Sequence, residues 1–364
     1  MWRLNPAVFV VGDEYQIMLP VECEAIMWVK VGDRTYYDAS NGIMRSATLV
    51  HKACVPVMEL DEAGEYTVYL QKIIERKPYF TETEEAEFRT FSFRGVSGEY
   101  IRAYHIADTH NAIDEPVKAA ETFGDMDFLI LNGDIPNHCG EEKNIVTIYE
   151  IASRITKGNF PVVFSRGNHD MRGKYAERFS ECTPSRKGLS YYTFRMGSIW
   201  GMVLDCGEDK ADSHAEYGNM LCCHAFREQQ TAYIERVIQH AGAEYAAVGV
   251  SHKIIICHIP FTVRKKGQFD IEHEIYGKWV ELLRDHIKPQ VILCGHEHRR
   301  NIYHCGSEKD SYGQPCPVVI GAERIADESS TYIVGAGLSF EQNRIEVVFT
   351  DNLGRENELW KITE

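Results

Sequence analysis

The chain has 364 residues, 44% hydrophobic and 26% charged, with 39 Lys and Arg against 54 Asp and Glu for a formal net charge of -15. That length exceeds what one hydrophobic core usually serves and predicts two domains. The acidic balance argues against a polymeric nucleic-acid partner, because phosphate backbones are gripped by clustered Lys and Arg; the short run Arg264-Lys265-Lys266 reads as a solvated loop.

Residues 1–96 read as all-β. Apolar and β-branched runs recur at 7–11, 15–19, 25–31, 35–37, 47–57, 65–74 and 88–93, separated by turn signals at Gly12-Asp13, Gly32-Asp33, Asn41-Gly42 and Ala63-Gly64. About seven short strands predict an immunoglobulin- or fibronectin-like sandwich as an accessory domain. Trp28, in mid-strand, is expected in its core. The boundary falls near 94–98, so the second domain runs over 97–364.

Beyond residue 99 strands alternate with helices expected near 114–123, 142–157, 227–240 and 272–287. Apolar strands end in polar clusters: 101–107 into Asp108, 128–131 into Gly133-Asp134, 162–164 into Gly167-Asn168, 254–257 into His258 and 291–294 into Gly295-His296. Ligands of open α/β sheets sit outside the carboxyl ends of strands, so these five ends read as one site assembled from distant parts of the chain. In Asp108-Thr109-His110 and His296-Glu297-His298 two side chains at i and i+2 leave a strand end in the same direction, where both can grip one ion.

The order Asp108-x-His110, Gly133-Asp134, Gly167-Asn168-His169-Asp170, His258, Gly295-His296-x-His298 resembles the signature of the calcineurin-like metallophosphoesterases. The resemblance covers about 265 residues and implies a four-layer αββα sandwich with a dinuclear metal site. It implies one metal on Asp108, His110, Asp134 and His298, and a second on Asp134, Asn168, His258 and His296, with Asp134 bridging. Mixed imidazole, carboxylate and amide ligands suit Mn, Fe or Zn. The implied activity is hydrolysis of phosphomonoesters or small phosphodiesters, with a metal-bridging hydroxide as nucleophile and His169 as general acid. A nuclease on polymeric nucleic acid and a non-catalytic scaffold of the same fold are the alternatives.

Three residues after Asp134, where protein phosphatases of the superfamily carry Asp and purple acid phosphatases Tyr, this chain has Asn137. Asn137 is expected to bind substrate or hydrogen-bond the His169 imidazole, with the acidic partner of His169 either Asp170 or absent. Arg172 reads either as a phosphate clamp or as a salt bridge. His138 reads as a loop or pocket-lining residue, His105 as a sheet histidine, and the polar stretch 205–223 as a candidate specificity loop. The eleven cysteines, irregularly spaced and without a CxxC pair, read as free thiols. The opening residues lack a signal-peptide core and no apolar run approaches a membrane span, so the expected location is cytoplasmic, without a membrane partner. The N-terminal domain is left with three roles: pocket rim, oligomer contact or partner site.

Overall fold

The computed structural model describes residues 1–45, 47–327, 330–342 and 344–363. Its centre is two facing sheets. The ten-stranded sheet runs in the order Glu356–Thr363, Arg344–Asp351, Thr331–Glu341, Ile101–Ile106, Phe128–Asn132, Val162–Ser165, Ala7–Val11, Glu14–Pro20 and Val50–Pro56, with Glu323–Ala326 paired to Thr331–Glu341. The six-stranded sheet runs Tyr192–Met196, Ile199–Leu204, His252–Cys257, Val291–Cys294, Val318–Ile320, Asn301–Tyr303.

Period-two alternation gives each central strand two apolar faces. In Phe128–Asn132, Phe128 and Ile130 join the core between the sheets, together with Val203, Ile254, Ile256 and Leu293 of the facing sheet. Leu129 and Leu131 point the other way, onto helices Asp114–Phe123 and Glu142–Thr156 through Ala119, Phe123, Ile145 and Ile148. Helices Cys223–Gln239 and His273–Leu282 cover the outer face of the second sheet through Ile234, Val237, Trp279 and Val280. The layers are therefore helix, sheet, sheet, helix. The four helices lie where the sequence periodicity predicts, although the third begins at Cys223, four residues early, and the fourth continues through a π-turn at Leu283–Ile287.

The N-terminal segment differs from the expected accessory sandwich. Ala7–Val11 pairs in parallel with Val162–Ser165, and Glu14–Pro20 and Val50–Pro56 extend the same ten-stranded sheet. The other N-terminal strands, Ala25–Val31, Arg34–Tyr37, Glu65–Arg76, Thr81–Thr83 and Glu87–Ser92, form a separate five-stranded sheet. Met27, Val29, Val68 and Leu70 of that sheet share one core with Val8, Val10, Ile17 and the inter-sheet residues. The turn signals at Gly12-Asp13 and Gly32-Asp33 both close hairpins, but nothing in the local pattern says which sheet a strand joins. A short helix, Val57–Ala63, replaces the end of the run at 47–57. Trp28 is on the outer face of the five-stranded sheet, stacked on Tyr69 at 5.1 Å with the Arg45 guanidinium over it, and is not a core residue. The period-two alternation puts Met27 and Val29 inside and Trp28 outside.

A chain starting at residue 97 would expose the edge of Val162–Ser165 and unpack Phe9 from Tyr149 and Phe164. We expect that chain to be insoluble or to lack a cooperative thermal transition. A soluble 97–364 fragment melting as sharply as the full chain would show that the N-terminal strands are dispensable.

Candidate metal centre

Strands Ile101–Ile106, Phe128–Asn132 and Val162–Ser165 are mutually parallel, as are Ile199–Leu204, His252–Cys257 and Val291–Cys294. Each predicted site loop leaves a carboxyl end of one of these strands. The turns are tight: φ is positive at Asp108 (56°), His110 (45°), Asp134 (52°), His296 (70°) and His298 (51°). Such backbone costs about 1–3 kcal/mol per non-glycine residue and persists only where the surroundings impose it. Glycines let the loops converge. A Cβ on Gly133 would sit 2.6 Å from the Gly167 Cα and 2.7 Å from the His258 ring, and one on Gly295 would sit 2.6 Å from an Asp108 oxygen.

The convergence brings Asp108, His110, Asp134 and His298 into one group, and Asp134, His258 and His296 into a second, with the donor atoms of each group within 4.8 Å of one another. Asn168 joins the second group, its Oδ1 lying 3.0 Å from His296 Nδ1. All seven residues that the resemblance implies as ligands therefore meet in one place, and Asp134 belongs to both groups. Asp108, Asp134, Asn168 and His258 are each at most 2% exposed.

The supporting contacts leave donor atoms facing inward. His258 Nδ1 donates to the Asn132 carbonyl at 2.7 Å, so Nε2 faces the centre, 3.2 Å from Asp134 Oδ2, as a proton donor without a metal and as a ligand atom with one. Asn132 is itself held by His105 and the Leu293 carbonyl, which gives the buried sheet histidine a bracing role. The His296 N–H donates to Asp108 Oδ2 at 2.8 Å, and the Nε2 atoms of His110 and His298 lie 2.9 Å apart. Asp108 Oδ1 and His258 Nε2 are buried and make no well-aligned hydrogen bond among the described residues, their nearest ion-pair contacts being to His298 at 3.3 Å and to Asp134 at 3.2 Å. Buried donor atoms of this kind, with hydrogen-bonded imidazoles behind them, fit a bound cation.

The electrostatics agree. Burial disfavours charge on His258, yet the Asp134 and Asp108 carboxylates outweigh it and push the imidazole up to about 10. Burial likewise works against both carboxylates, and His258 in turn holds both below the ordinary carboxylate range. Without a metal, a proton on His258 supplies the positive charge that the two acids demand. Burial carries His110 and His296 the other way, each down to about 4, which keeps their ring nitrogens free to coordinate.

His169 stands beside this centre, its ring 4.5 Å from that of His110 and its N–H donating to Asp134 Oδ1 at 2.8 Å. Its expected partners are corrected by the structure. His169 Nδ1 donates to the backbone carbonyl of Asn137 at 2.8 Å, and the Asn137 side chain is not used. Asp170 is fully buried and turns away: its Oδ2 accepts the Gly167 N–H at 2.7 Å, pinning the loop. Burial, then the Asp134 charge, push the Asp170 carboxyl above the ordinary range, and its contact is with its own loop and not with the imidazole. Arg172 spends its fork on Glu208, at 2.7 and 3.1 Å, and its remaining Nη1 lies 3.2 Å from His169 Nε2. Of its two readings the salt bridge is the one observed, and the same guanidinium also contacts the His169 ring. His138 folds back to accept the Gly140 N–H and is a turn residue.

The family model for calcineurin-like phosphoesterases matches residues 101–300, more than half of the chain. The chain belongs to the calcineurin-like phosphoesterase family. No curated protein matches the sequence. Among solved structures, this calcineurin-like chain is similar to the purple acid phosphatase PPD1 from yellow lupin (Lupinus luteus) seeds, at TM-score 0.57 and 12% identity over 99% of this chain and 74% of that one. It is also similar to PhoD, at TM-score 0.56 and 11% identity over 99% and 92%. At these identities the likeness concerns the fold alone.

Sequence reasoning missed two acids of this calcineurin-like site. Asp209 Oδ2 lies 3.8 Å from His296 Nε2, and the buried Glu208 anchors Arg172 and accepts from the Tyr217 hydroxyl. Both lie in the polar stretch 205–223 that the sequence marked only as a loop. The strand that aims them, Ile199–Leu204, also escaped notice, although it ends in Asp205 as the other site strands end in polar residues. All eleven cysteines are unpaired, and no helix among the described residues is long and apolar enough to cross a membrane.

Proposed function

We propose that this protein is a metal-dependent hydrolase of small phosphate esters, with metal ions held by Asp108, His110, Asp134, Asn168, His258, His296 and His298. The observation that carries the reading is the convergence of seven donors from five strand ends, with Asp134 common to both groups and buried donor atoms left without a well-aligned hydrogen bond. The imidazole, carboxylate and amide set suits Mn, Fe or Zn, two ions in all. Bound ions of this class supply Lewis-acid activation of water and of the phosphoryl oxygens. The chain's own residues do the rest. Asp134 joins the two halves of the centre and fixes the His169 backbone. The Asn137 carbonyl takes the His169 Nδ1 proton and Arg172 Nη1 donates to Nε2, which lies 3.9 Å from Asp134 Oδ2; in the imidazolium form, with the Arg172 contact released, Nε2 is the group that delivers a proton to the departing oxygen.

The test is turnover of phosphomonoesters, cyclic nucleotides and small diesters by protein loaded separately with Mn, Fe and Zn. We expect hydrolysis of at least one class, abolished by chelation and restored by metal. Stoichiometric metal binding without turnover of any ester would overturn the reading in favour of a scaffold.

A further inference from the structure

A cleft of about 790 Å³ opens directly from the metal centre, with His296, His298 and Asp209 on its inner wall. That volume lies within the range of small-molecule sites, about 300–1,000 Å³. Its composition is unlike the rest of the chain. Four cations line it, Arg264, Lys265, Arg299 and Lys309, against two carboxylates, Asp209 and Glu297, on a protein whose net charge is -15. Two of the cations are spoken for: Arg264 pairs with Asp270, and Lys265 pairs with Glu297. Arg299 and Lys309 are exposed, and neither has a carboxylate within ion-pair distance among the described residues; Lys309 only leans over the Tyr303 ring, at 5.9 Å. The rest of the lining is largely apolar and aromatic, with Phe269 37% exposed, Lys210 standing 5.2 Å over its ring, and Tyr312 half-buried.

Two unpaired cations on an acidic protein concentrate anions locally, and an aromatic wall offers flat apolar contact to a ring. A simple phosphomonoester would use the metal centre and leave both features idle. We propose that this cleft holds the part of the substrate beyond the scissile phosphate, and that this part combines a second phosphate, met by Arg299 and Lys309, with a planar ring laid along Phe269 and Tyr312, as in a nucleoside diphosphate. The proposal rests on the phosphoesterase reading for the scissile phosphate, but the cleft's selectivity is a binding property and is measured without turnover.

The probe is α,β-methylene ADP, whose phosphorus–carbon–phosphorus bridge resists hydrolysis, titrated calorimetrically into the metal-loaded full chain. Methylenebisphosphonate, which has the anions without the ring, and AMP, which has the ring and one phosphate, are the controls. We expect the full probe to bind at least about tenfold more tightly than either control. Arg299→Ala with Lys309→Ala should weaken it by about tenfold or more, with the metal content of the variant unchanged, while Arg299→Lys with Lys309→Arg should retain most of the affinity. Equal affinity for all three compounds, or equal binding by wild type and the double-alanine variant, would overturn the proposal even if the protein hydrolyses other esters. Tight, cation-dependent binding of the probe in a protein that cleaves no ester would instead sustain the cleft and remove the hydrolase.

Discussion

Asp134→Ala is expected to strip the centre of metal and to lower turnover by about 10³-fold or more. The carboxylate belongs to both ligand groups, so its loss opens both at once. If metal charge contributes about 4 kcal/mol to the transition state, each 1.36 kcal/mol being tenfold, the loss spans about three decades. Two further effects act in the same direction. His258 loses the nearest partner of its Nε2, at 3.2 Å, and the His169 N–H loses its acceptor. Asp134→Asn keeps the shape and one acceptor oxygen, so it separates charge from packing. Elemental analysis with a thermal melt checks both variants. A folded Asp134→Ala protein that retains its metals and full turnover would remove Asp134 from the centre.

His169→Ala should cost about 10²–10⁴ in rate on an alkyl phosphate ester and much less on p-nitrophenyl phosphate. An alkoxide is a strongly basic leaving group and needs a proton; p-nitrophenolate leaves without one. Metal content should stay normal, because His169 lies outside both donor groups. The structure adds a second arm. A backbone carbonyl takes the Nδ1 proton, so Asn137→Ala should leave the leaving-group dependence unchanged, although Asn137 occupies the position where related phosphatases place their distinguishing residue. Equal losses on both esters in His169→Ala, with metals intact, would show that His169 binds the phosphate and does not deliver the proton.

Much of the centre was written locally. Asp and His tolerate left-handed backbone better than most residues, so the pairs Gly133-Asp134 and Gly295-His296 carry both the turn and the donor, while Asn168, in right-handed backbone, depends on Gly167 for the close approach to Asp134. Strand and helix periodicity likewise located the elements that present them, because alternation and 3.6-residue spacing are set by the chain's own geometry.

The sequence by itself marked the seven residues that converge, five of the strand ends around them and the helices behind them. Only the tertiary structure decided which sheet the N-terminal strands join, since a strand's edge hydrogen bonds carry no label and Ala7–Val11 meets Val162–Ser165 across some 150 residues. It also decided what surrounds His169. Asn137 contributes a carbonyl that every residue type possesses, Asp170 turns back to its own loop, and Arg172 is taken by Glu208, 36 residues away. Hydrogen bonds form between whichever donors and acceptors the fold brings within about 3 Å, and that proximity is a property of the packed chain, not of the motif.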